Sequence, residues 1–462
     1  MNLPEERSSV AIRQLLRTAA DSATNYVLGI RDRRVAPQDS DIAALAGFME
    51  PFPSSPCPPE SVLAMLDQLG SPATMASTGG RYFGFVIGGT LPAALAANWL
   101  AGAWDQNAAL RVMSPVAAVL EDVALRWVYE ALGLPADCEG GIVTGATAAN
   151  FTALAAARQA LLEREGWNAV ADGLSGAPPI EVIVGAEVHA SVLKALGLLG
   201  FGNRRITVVE ADDQGRMRPE KLPRPRKPAI ICIQAGNVNT GAFDPAGAIC
   251  EAAKDSGAWV HVDGAFGLWA AASAQYRHLV AGYANADSWA TDAHKWLNVT
   301  YDCGLAITKH PAPLRSTMGM SAAYLETGAQ REPMHQTPEA SRRARGVELW
   351  AALKSLGSAG LAQMVERSCA QARQFARKLE QAGFQVLNDV VLNQVLVSFG
   401  SPERTQEVMR LVQQEGTCWC GGTVWQGKVA MRISVSSWAT TDEDVDRSVA
   451  AIIRVAQSCR EV

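Results

Sequence analysis

A lysine in an apolar setting is the residue of this chain best suited to covalent chemistry. Lys295 directly follows His294 and comes just after a short β-like run. Most lysines lie in water, but Trp296 and Leu297 follow this one. An amine that is buried beside positive charge becomes a nucleophile for aldehydes. The pattern therefore indicates a Schiff-base lysine for pyridoxal 5′-phosphate (PLP). The alternative is a solvated surface lysine.

An acid that suits the same cofactor ends the apolar run Ala258–Asp263. A carboxylate at the end of a buried strand is costly without a partner, and such strand ends form the ligand crevice of open α/β sheets. Opposite a pyridine nitrogen, Asp263 would keep that nitrogen protonated and make the ring an electron sink. Ala265 is small enough to pack under the ring. The alternative for Asp263 is a cap for the next segment.

Two further polar residues follow predicted strands. His189 comes after the strand Glu181–Val184 and could stack on a pyridine ring, or it could be a capping or core histidine. Asn237 comes after the strand Ala229–Gln234. Its amide could hydrogen-bond Asp263 or the cofactor, or it could simply form a turn.

A phosphate cup is predicted in the stretch GIVTGATAAN, where a strand, a glycine turn and a helix start follow one another. Gly145, Ala146 and Thr147 are the expected contacts, because free N–H groups and the positive helix end favour an anion. Thr291 and His294 could also reach the phosphate. The alternative is an ordinary βα turn. The stretch fits neither nucleotide-binding glycine motif, so nucleotide binding is not favoured.

The elements that would hold these residues predict an α/β protein. Short strands alternate with helices, which indicates a mainly parallel sheet covered on both faces. The last strand follows its predecessor too closely for a helical crossover, so we expect it to be antiparallel. Asp244 is expected to cap the helix Pro245–Ala253. The predicted strands are Gly141–Thr144, Glu181–Val184, Ile206–Val209, Ala229–Gln234, Ala258–Asp263, Ser288–Thr291 and Leu305–Thr308.

Three regions are expected along the 462 residues. Residues 1–75 are predicted to be helices broken by the proline-rich stretch Glu50–Glu60, with so little core that they pack on a partner subunit. Residues 76–356 form the large domain. Residues 357–462 form a smaller α+β unit with helices at Gly360–Ala382, Thr405–Glu415 and Thr441–Cys459, and strands at Val390–Phe399 and Ala430–Val435.

The composition limits the classes of molecule that this chain is expected to bind. A formal net charge of −5 argues against nucleic acid and anionic membranes. The start of the chain lacks the pattern of a secretory signal, and no apolar stretch is long enough to span a membrane. The nine scattered cysteines predict reduced thiols and a cytoplasmic location, and the six histidines show no metal-binding spacing. We therefore expect a small-molecule substrate and no metal.

The chain resembles the PLP-dependent group II amino-acid decarboxylases, which include the aromatic-amino-acid and glutamate decarboxylases. The resemblance runs from about residue 80 to the C-terminus. It rests on the stretches RYFGFVIGG, TGATAANFTAL, AEVHASVLKAL, HVDGAFG, DSWATDAHKWLN and MRISVSSW. It implies the aspartate-aminotransferase-like fold (fold type I) with a seven-stranded sheet, and an obligate homodimer with shared active sites. It also implies that Lys295 forms the Schiff base, that Asp263 meets the pyridinium, that His189 covers the ring, and that Ala146, Thr147 and His294 hold the phosphate.

The reaction implied is loss of the α-carboxylate of an L-amino acid through an external aldimine and a quinonoid. In the family, a mobile-loop tyrosine then protonates the carbanion. Here the loop Gly328–Pro338 has no tyrosine, and Tyr324 lies upstream of the matching position. His335, Lys295 or His189 could supply the proton. Alternatively, the chain is a decarboxylation-dependent aldehyde synthase or another PLP carbon–carbon lyase.

Three residues are candidates for substrate binding. Arg111 lies in a segment that the resemblance puts near the substrate side chain, where it could pair with an acidic substrate; a surface or intersubunit arginine is the alternative. Arg432 could bind the α-carboxylate or form an interdomain salt bridge. Phe83, in RYFGFVIGG, is a third candidate.

Overall fold

All seven strands predicted for the large domain form one sheet in the computed structural model, which describes residues 9–225, 228–320 and 330–459. The strands of the chain are β1 (Tyr82–Phe83), β2 (Glu139–Val143), β3 (Glu181–Gly185), β4 (Thr207–Val209), β5 (Ala229–Gln234), β6 (Trp259–Asp263), β7 (Ser288–Asp292), β8 (Gly304–Thr308), β9 (Gln385–Val386), β10 (Gln394–Ser398), β11 (Trp419–Trp425) and β12 (Lys428–Ser434).

The large sheet has the order β2-β8-β7-β6-β5-β3-β4. Neighbouring strands from β7 to β4 run parallel, whereas β8 is antiparallel to both of its neighbours, as predicted. Every residue of β5 is buried, which is typical of a parallel strand with both faces covered. The order and the two covered faces are those of fold type I, so the predicted fold class is confirmed.

Helices cover both faces of this sheet. The α-helices are α1 (Ser9–Gly29), α2 (Asp39–Ala44), α3 (Pro59–Met65), α4 (Ser71–Ala73), α5 (Pro92–Trp104), α6 (Pro115–Leu132), α7 (Ala146–Arg164), α8 (Ala169–Asp172), α9 (Ala190–Leu198), α10 (Ala246–Lys254), α11 (Pro311–Met318), α12 (Gly346–Gln381), α13 (Pro402–Glu415) and α14 (Asp442–Ser458). Helix α7 packs on one face of the sheet, and α6 and the start of α12 pack on the other. Among the described residues, no helix is long and apolar enough to cross a membrane.

The smaller domain is built on a second sheet with the order β1-β11-β12-β10-β9. Its core lies between this sheet and α13, α14 and the second half of α12. Helix α12 is interrupted at Gly357 (φ 58°), which is the predicted domain boundary. The division is not clean, because β1 comes from the region assigned to the large domain and pairs with β11.

One predicted cap is wrong. Asp244 does not cap α10, which begins at Ala246 without a side-chain cap. The Asp244 carboxylate instead accepts hydrogen bonds at 2.7 Å from the backbone N–H groups of Met217 and Gln234. Buried N–H groups need acceptors, and the Asp244 carboxylate serves these two rather than the helix start. Burial raises the pKa of Asp244 to about 6.

Candidate active site

Polar residues meet at the carboxyl ends of three neighbouring strands. In the register of the sheet, Gln234 at the end of β5 pairs with Asp263 at the end of β6, and Asp263 pairs with Ala290 of β7. Asp292 then ends β7, and its backbone N–H donates to the carbonyl of Ala265 at 3.0 Å. This edge is where a doubly covered parallel sheet binds its ligand.

Asp263 is the buried acid of the site. Burial raises the pKa of its carboxyl, while His189 and Lys295 act in the opposite direction. Ala265 donates its backbone N–H to Asp263 at 3.3 Å. A buried carboxylate such as that of Asp263 is stable only when a positively charged group lies close to it.

His189 lies directly before α9 and interacts with Asp263. Its Nδ1 accepts the backbone N–H of Ser191 at 3.2 Å and lies 2.8 Å from that residue's hydroxyl oxygen. Burial lowers the pKa of the imidazole, and the charge of Asp263 only partly offsets this effect. The ring is therefore held in a fixed orientation and is neutral near pH 7. His189 therefore caps α9, which is one of the two roles expected from the sequence. It also interacts electrostatically with Asp263 and so lies at the site.

Lys295 lies in the turn after β7. Its Nζ is 3.1 Å from Oδ2 of Asp292, and its side chain is 19% exposed. Trp296 and Leu297 are fully buried. The apolar neighbours expected from the sequence are therefore present, and the ammonium group points into the site and away from bulk solvent.

Asn298 holds the lysine turn in place. Its Oδ1 accepts the backbone N–H groups of Gly89 at 2.6 Å and Trp438 at 2.9 Å. Its Nδ2 donates to the carbonyls of Trp296 at 2.8 Å and Ser436 at 2.9 Å. One buried amide thus joins the lysine turn to the smaller domain and to the segment that precedes α5. The stretches RYFGFVIGG, DSWATDAHKWLN and MRISVSSW meet at this residue.

The backbone around Asn298 is equally constrained. Asn298 itself has φ 56°, a conformation that few residues other than glycine adopt. Gly88 approaches so closely that a Cβ atom there would lie 1.8 Å from the carbonyl oxygen of Lys295. The segment before α5 therefore supports the lysine turn directly.

The predicted phosphate cup forms at the start of α7. Gly145 precedes the helix, no side chain caps the first turn and no acidic residue lies in it, so the first N–H groups are available to an anion. A Cβ atom on Gly145 would lie 3.1 Å from Cε1 of His294, and one on Gly304 would lie 2.4 Å from Cα of Gly145. Ala146 is buried and Thr147 is half-buried beside them.

His294 forms one wall of this cup. Its Nδ1 accepts the backbone N–H of Cys303 at 3.1 Å, and its ring stacks on Tyr301 with centroids 4.2 Å apart. Burial lowers the pKa of His294, although Asp292 acts in the opposite direction. Near neutral pH the ring is therefore uncharged.

Thr291 does not belong to the cup. Side chains alternate along a strand, and Ala290 packs against α7 in a small cluster with Val143 and Ala149. Asp292 shares that face, so Thr291 points to the opposite face of the sheet. The expectation that Thr291 reaches the phosphate is therefore wrong. The residue of β7 that faces the cup is Asp292, which was not among the residues predicted from the sequence.

Asn237 is buried and forms a turn. Its Oδ1 accepts the backbone N–H groups of Asn239 at 2.8 Å and Thr240 at 3.3 Å. Its Nδ2 has no hydrogen-bond partner. The carbonyl oxygen thus has the role of an ordinary turn residue, and the amide nitrogen stays available to a ligand.

The substrate candidates have different surroundings. Phe83 is fully buried and packs edge-on against Phe375, with ring centroids 4.9 Å apart, which argues against contact with a substrate. Its strand β1 was not predicted, and this strand carries the ring into the core of the smaller domain. The exposed aromatic of this segment is Phe85, which stacks on Trp419.

Arg111 and His335 lie in a region rich in ion pairs. The guanidinium of Arg111 pairs with Asp122 and donates to the carbonyl of Arg331 at 3.0 Å. His335 follows in a short 3-10 helix, where its Nδ1 lies 3.4 Å from the backbone N–H of Met320. Tyr324 and the loop residues 328 and 329 lie outside the described residues.

Arg432 is a cation with few partners. Its guanidinium donates to Oδ1 of Asn239 at 3.3 Å, and its Nε is buried without a hydrogen bond. Burial lowers its pKa. The interdomain salt bridge considered from the sequence is therefore replaced by one hydrogen bond to a neutral amide.

The residues present fit PLP. Buried polar atoms are normally paired, yet Asn237 Nδ2, Asp292 Oδ1 and Arg432 Nε are buried without partners around this edge of the sheet. The cup at Gly145 suits the phosphate, Asp263 suits the pyridine nitrogen and Lys295 suits the aldehyde. The described residues contain no group of three side chains that could hold a metal. The fold and the site thus define a PLP-dependent enzyme of fold type I.

Known proteins agree with this class. The family model described as the pyridoxal-dependent decarboxylase conserved domain matches residues 73–400, and the chain belongs to this family of PLP-dependent carboxy-lyases. An aromatic-L-amino-acid decarboxylase of Bacillus atrophaeus is 27% identical over 94% of both chains. A phenylacetaldehyde synthase of Arabidopsis thaliana is 27% identical over 72% of this chain and 73% of its own.

A solved structure has the same fold. The crystal structure of Oryza sativa TDC with PLP and tryptamine superposes with a TM-score of 0.91, covering 99% of both chains at 22% identity.

Replacing Asn298 with glycine tests its role. Glycine tolerates φ 56°, so Asn298→Gly removes only the side-chain hydrogen bonds and leaves the N–H groups of Gly89 and Trp438 buried without acceptors. Each unsatisfied group costs about 1–3 kcal/mol. We expect the midpoint of thermal unfolding to fall by about 2–6 °C, together with a weaker affinity for PLP.

The matched control is Asn203→Gly, since Asn203 is exposed. It should lower the midpoint by no more than about 1 °C, the cost of a glycine in a short helix, and leave the PLP affinity unchanged. An Asn298→Gly protein with the wild-type midpoint and PLP affinity would show that the amide does not position the turn.

Proposed function

We propose that this chain is an L-amino-acid decarboxylase that uses PLP bound to Lys295 to remove the α-carboxylate of its substrate. The observation that supports this most strongly is that His189, Asp263 and Lys295 follow the carboxyl ends of the strands β3, β6 and β7 of one parallel array. His189 and Lys295 both act to lower the pKa of Asp263. A lysine, an acid and a flat neutral ring are what PLP needs at its aldehyde, its nitrogen and its face.

The bound cofactor supplies an electron sink for the bond that breaks at Cα. The residues of the chain prepare that bond. Asp263 would hold a proton on the pyridine nitrogen, and His189 would pack against the ring. The N–H groups after Gly145, with His294, would hold the phosphate and so limit rotation of the ring. Lys295 would be the amine that binds the aldehyde.

Arg432 is the residue we assign to the substrate carboxylate. It is largely buried, its described contact is to a neutral amide, and its Nε has no partner. A buried cation of this kind gains most from a carboxylate, to which it can donate two parallel hydrogen bonds. Arg111 is less suited to the task, because Asp122 already neutralises its guanidinium.

The step after CO₂ leaves distinguishes two outcomes. A proton delivered to Cα gives an amine, whereas reaction with oxygen gives an aldehyde. Lys295, His189 and His335 are the candidate donors in the described chain, and the similarity to an aldehyde synthase keeps the second outcome as the alternative. We favour the amine, because Lys295 and His189 both lie within the site.

Product analysis separates the two outcomes. The PLP-loaded protein is supplied with each L-amino acid in air, and CO₂, amine, aldehyde, ammonia and peroxide are measured. We expect one amino acid, or a few of one chemical class, to give CO₂ and amine in equal amounts. Aldehyde with ammonia and peroxide would establish the alternative, and no CO₂ from any amino acid would refute both.

We also propose a homodimer with active sites at its interface. The helices α1 to α4 bury none of their residues within the chain, and α5, α6 and the loop between them expose large apolar side chains. Exposed apolar surface of this extent is typical of a protein interface. The exposed side chains are Trp99, Leu100, Trp104, Val112, Met113, Val116 and Val119.

Seven of the nine cysteines are buried free thiols, which supports a reducing, cytoplasmic location.

The mass in solution tests the dimer. Light scattering should give about twice the chain mass of 49.1 kDa. Val112→Glu places a charge on the apolar face and should shift the mass toward one chain with loss of activity. Val424→Glu is the control, since Val424 is 66% exposed and Val112 is 70% exposed, and it should change neither property. A fully active single chain would contradict the shared site.

A further inference from the structure

A second carboxylate is buried in the site beside Asp263. Asp292 is 1% exposed, and it ends β7 on the face that packs against α7. Its Oδ1 has no hydrogen-bond partner, and a Cβ atom on Gly145 would lie 3.5 Å from that oxygen. A carboxylate in such a place strongly destabilises the fold unless a positive charge offsets it.

Lys295 is the cation that can offset it. Its Nζ lies 3.1 Å from Oδ2 of Asp292. The other basic group nearby is His294, whose Nε2 lies 3.7 Å from Oδ1. Burial lowers the pKa of that imidazole, so His294 is neutral near pH 7 and contributes no charge.

The remaining titratable groups around Asp292 are Asp263 from β6, His189 from the start of α9, and Tyr301 and Cys303 from the following loop. Burial lowers the pKa of His189 and raises the pKa of Tyr301 and Cys303, so all three are uncharged near pH 7. Two carboxyl groups therefore lie in the site, and a positive nitrogen beside each would stabilise its ionised form. The pyridine nitrogen of PLP suits Asp263, and Nζ of Lys295 suits Asp292.

We propose that Asp292 is a positioning residue that keeps a proton on the side-chain nitrogen of Lys295 when PLP is attached to it. This inference rests on the proposed role of Lys295. A proton on this nitrogen would make the attached carbon more reactive toward a substrate amine. Oδ2 of Asp292, which lies 3.1 Å from Nζ in the ligand-free chain, would then be the partner of the lysine when it is displaced.

The pH dependence of the visible absorption band of the PLP-bound protein tests this inference without measuring turnover. The band reports whether the nitrogen of Lys295 carries a proton. A carboxylate at hydrogen-bond distance favours the charged form, so its removal lowers the pH at which the proton is lost. We expect Asp292→Asn, which conserves size, to lower the midpoint of the band's pH titration by about 1–3 units. Asp292→Glu should restore part of the difference.

The control is Asp302→Asn. Asp302 lies in the same region, but its carboxylate pairs with Arg345 at 2.7 Å and not with Lys295. This variant should titrate with the wild-type midpoint. An equal shift in both variants would show that the effect is one of general charge, and would overturn the inference.

Two other results would also overturn it. A midpoint that Asp292→Asn leaves unchanged, with tighter binding of inorganic phosphate, would assign Asp292 to the phosphate cup. If the wild type forms no Lys295-dependent band, the proposed function fails as well. If the wild type forms the band but Asp292→Asn leaves its midpoint unchanged, this inference fails while the proposed function stands.

Discussion

The hydrogen bonds of one buried amide join the parts of the molecule on which the site depends. Asn298 connects the turn of Lys295 to Gly89 in the segment before α5 and to Ser436 and Trp438 in the smaller domain. A lysine on a free turn could take many positions. Here the turn is tied on two sides, so the direction of Lys295 is set by how the two domains pack.

Charge is the second constraint on this site. The parallel sheet brings Asp263 and Asp292 to adjoining strand ends, where water is largely excluded. His189 and His294 cannot offset them, because burial lowers the pKa of both imidazoles. A positive nitrogen beside each acid would offset this charge, and PLP attached to Lys295 would provide both nitrogens. Arg432 suits an anionic substrate for a different reason, because its buried guanidinium donates to a neutral amide and its Nε has no hydrogen-bond partner.

Features that depend on neighbouring residues in the chain could be predicted from the sequence. The seven strands and the acid, the histidine and the lysine that follow them have local signals. Thr291 was misplaced because the alternation of side chains along β7 was not applied, and the same rule would have identified Asp292. Phe83 was misplaced because its pairing with β11 joins residues more than 300 positions apart. Asn298 could not be found from local pattern, since its long-range partners Gly89, Ser436 and Trp438 come from two distant segments.

The central claim is that Lys295 carries the cofactor. The most direct measurement is reduction of the PLP-loaded protein with borohydride, followed by peptide mass analysis. We expect the pyridoxyl group on the peptide that contains Lys295, and we expect Lys295→Ala to lose both this label and the visible band. A label on another residue such as Lys194, or a Lys295→Ala protein that still forms a reducible bond, would contradict it.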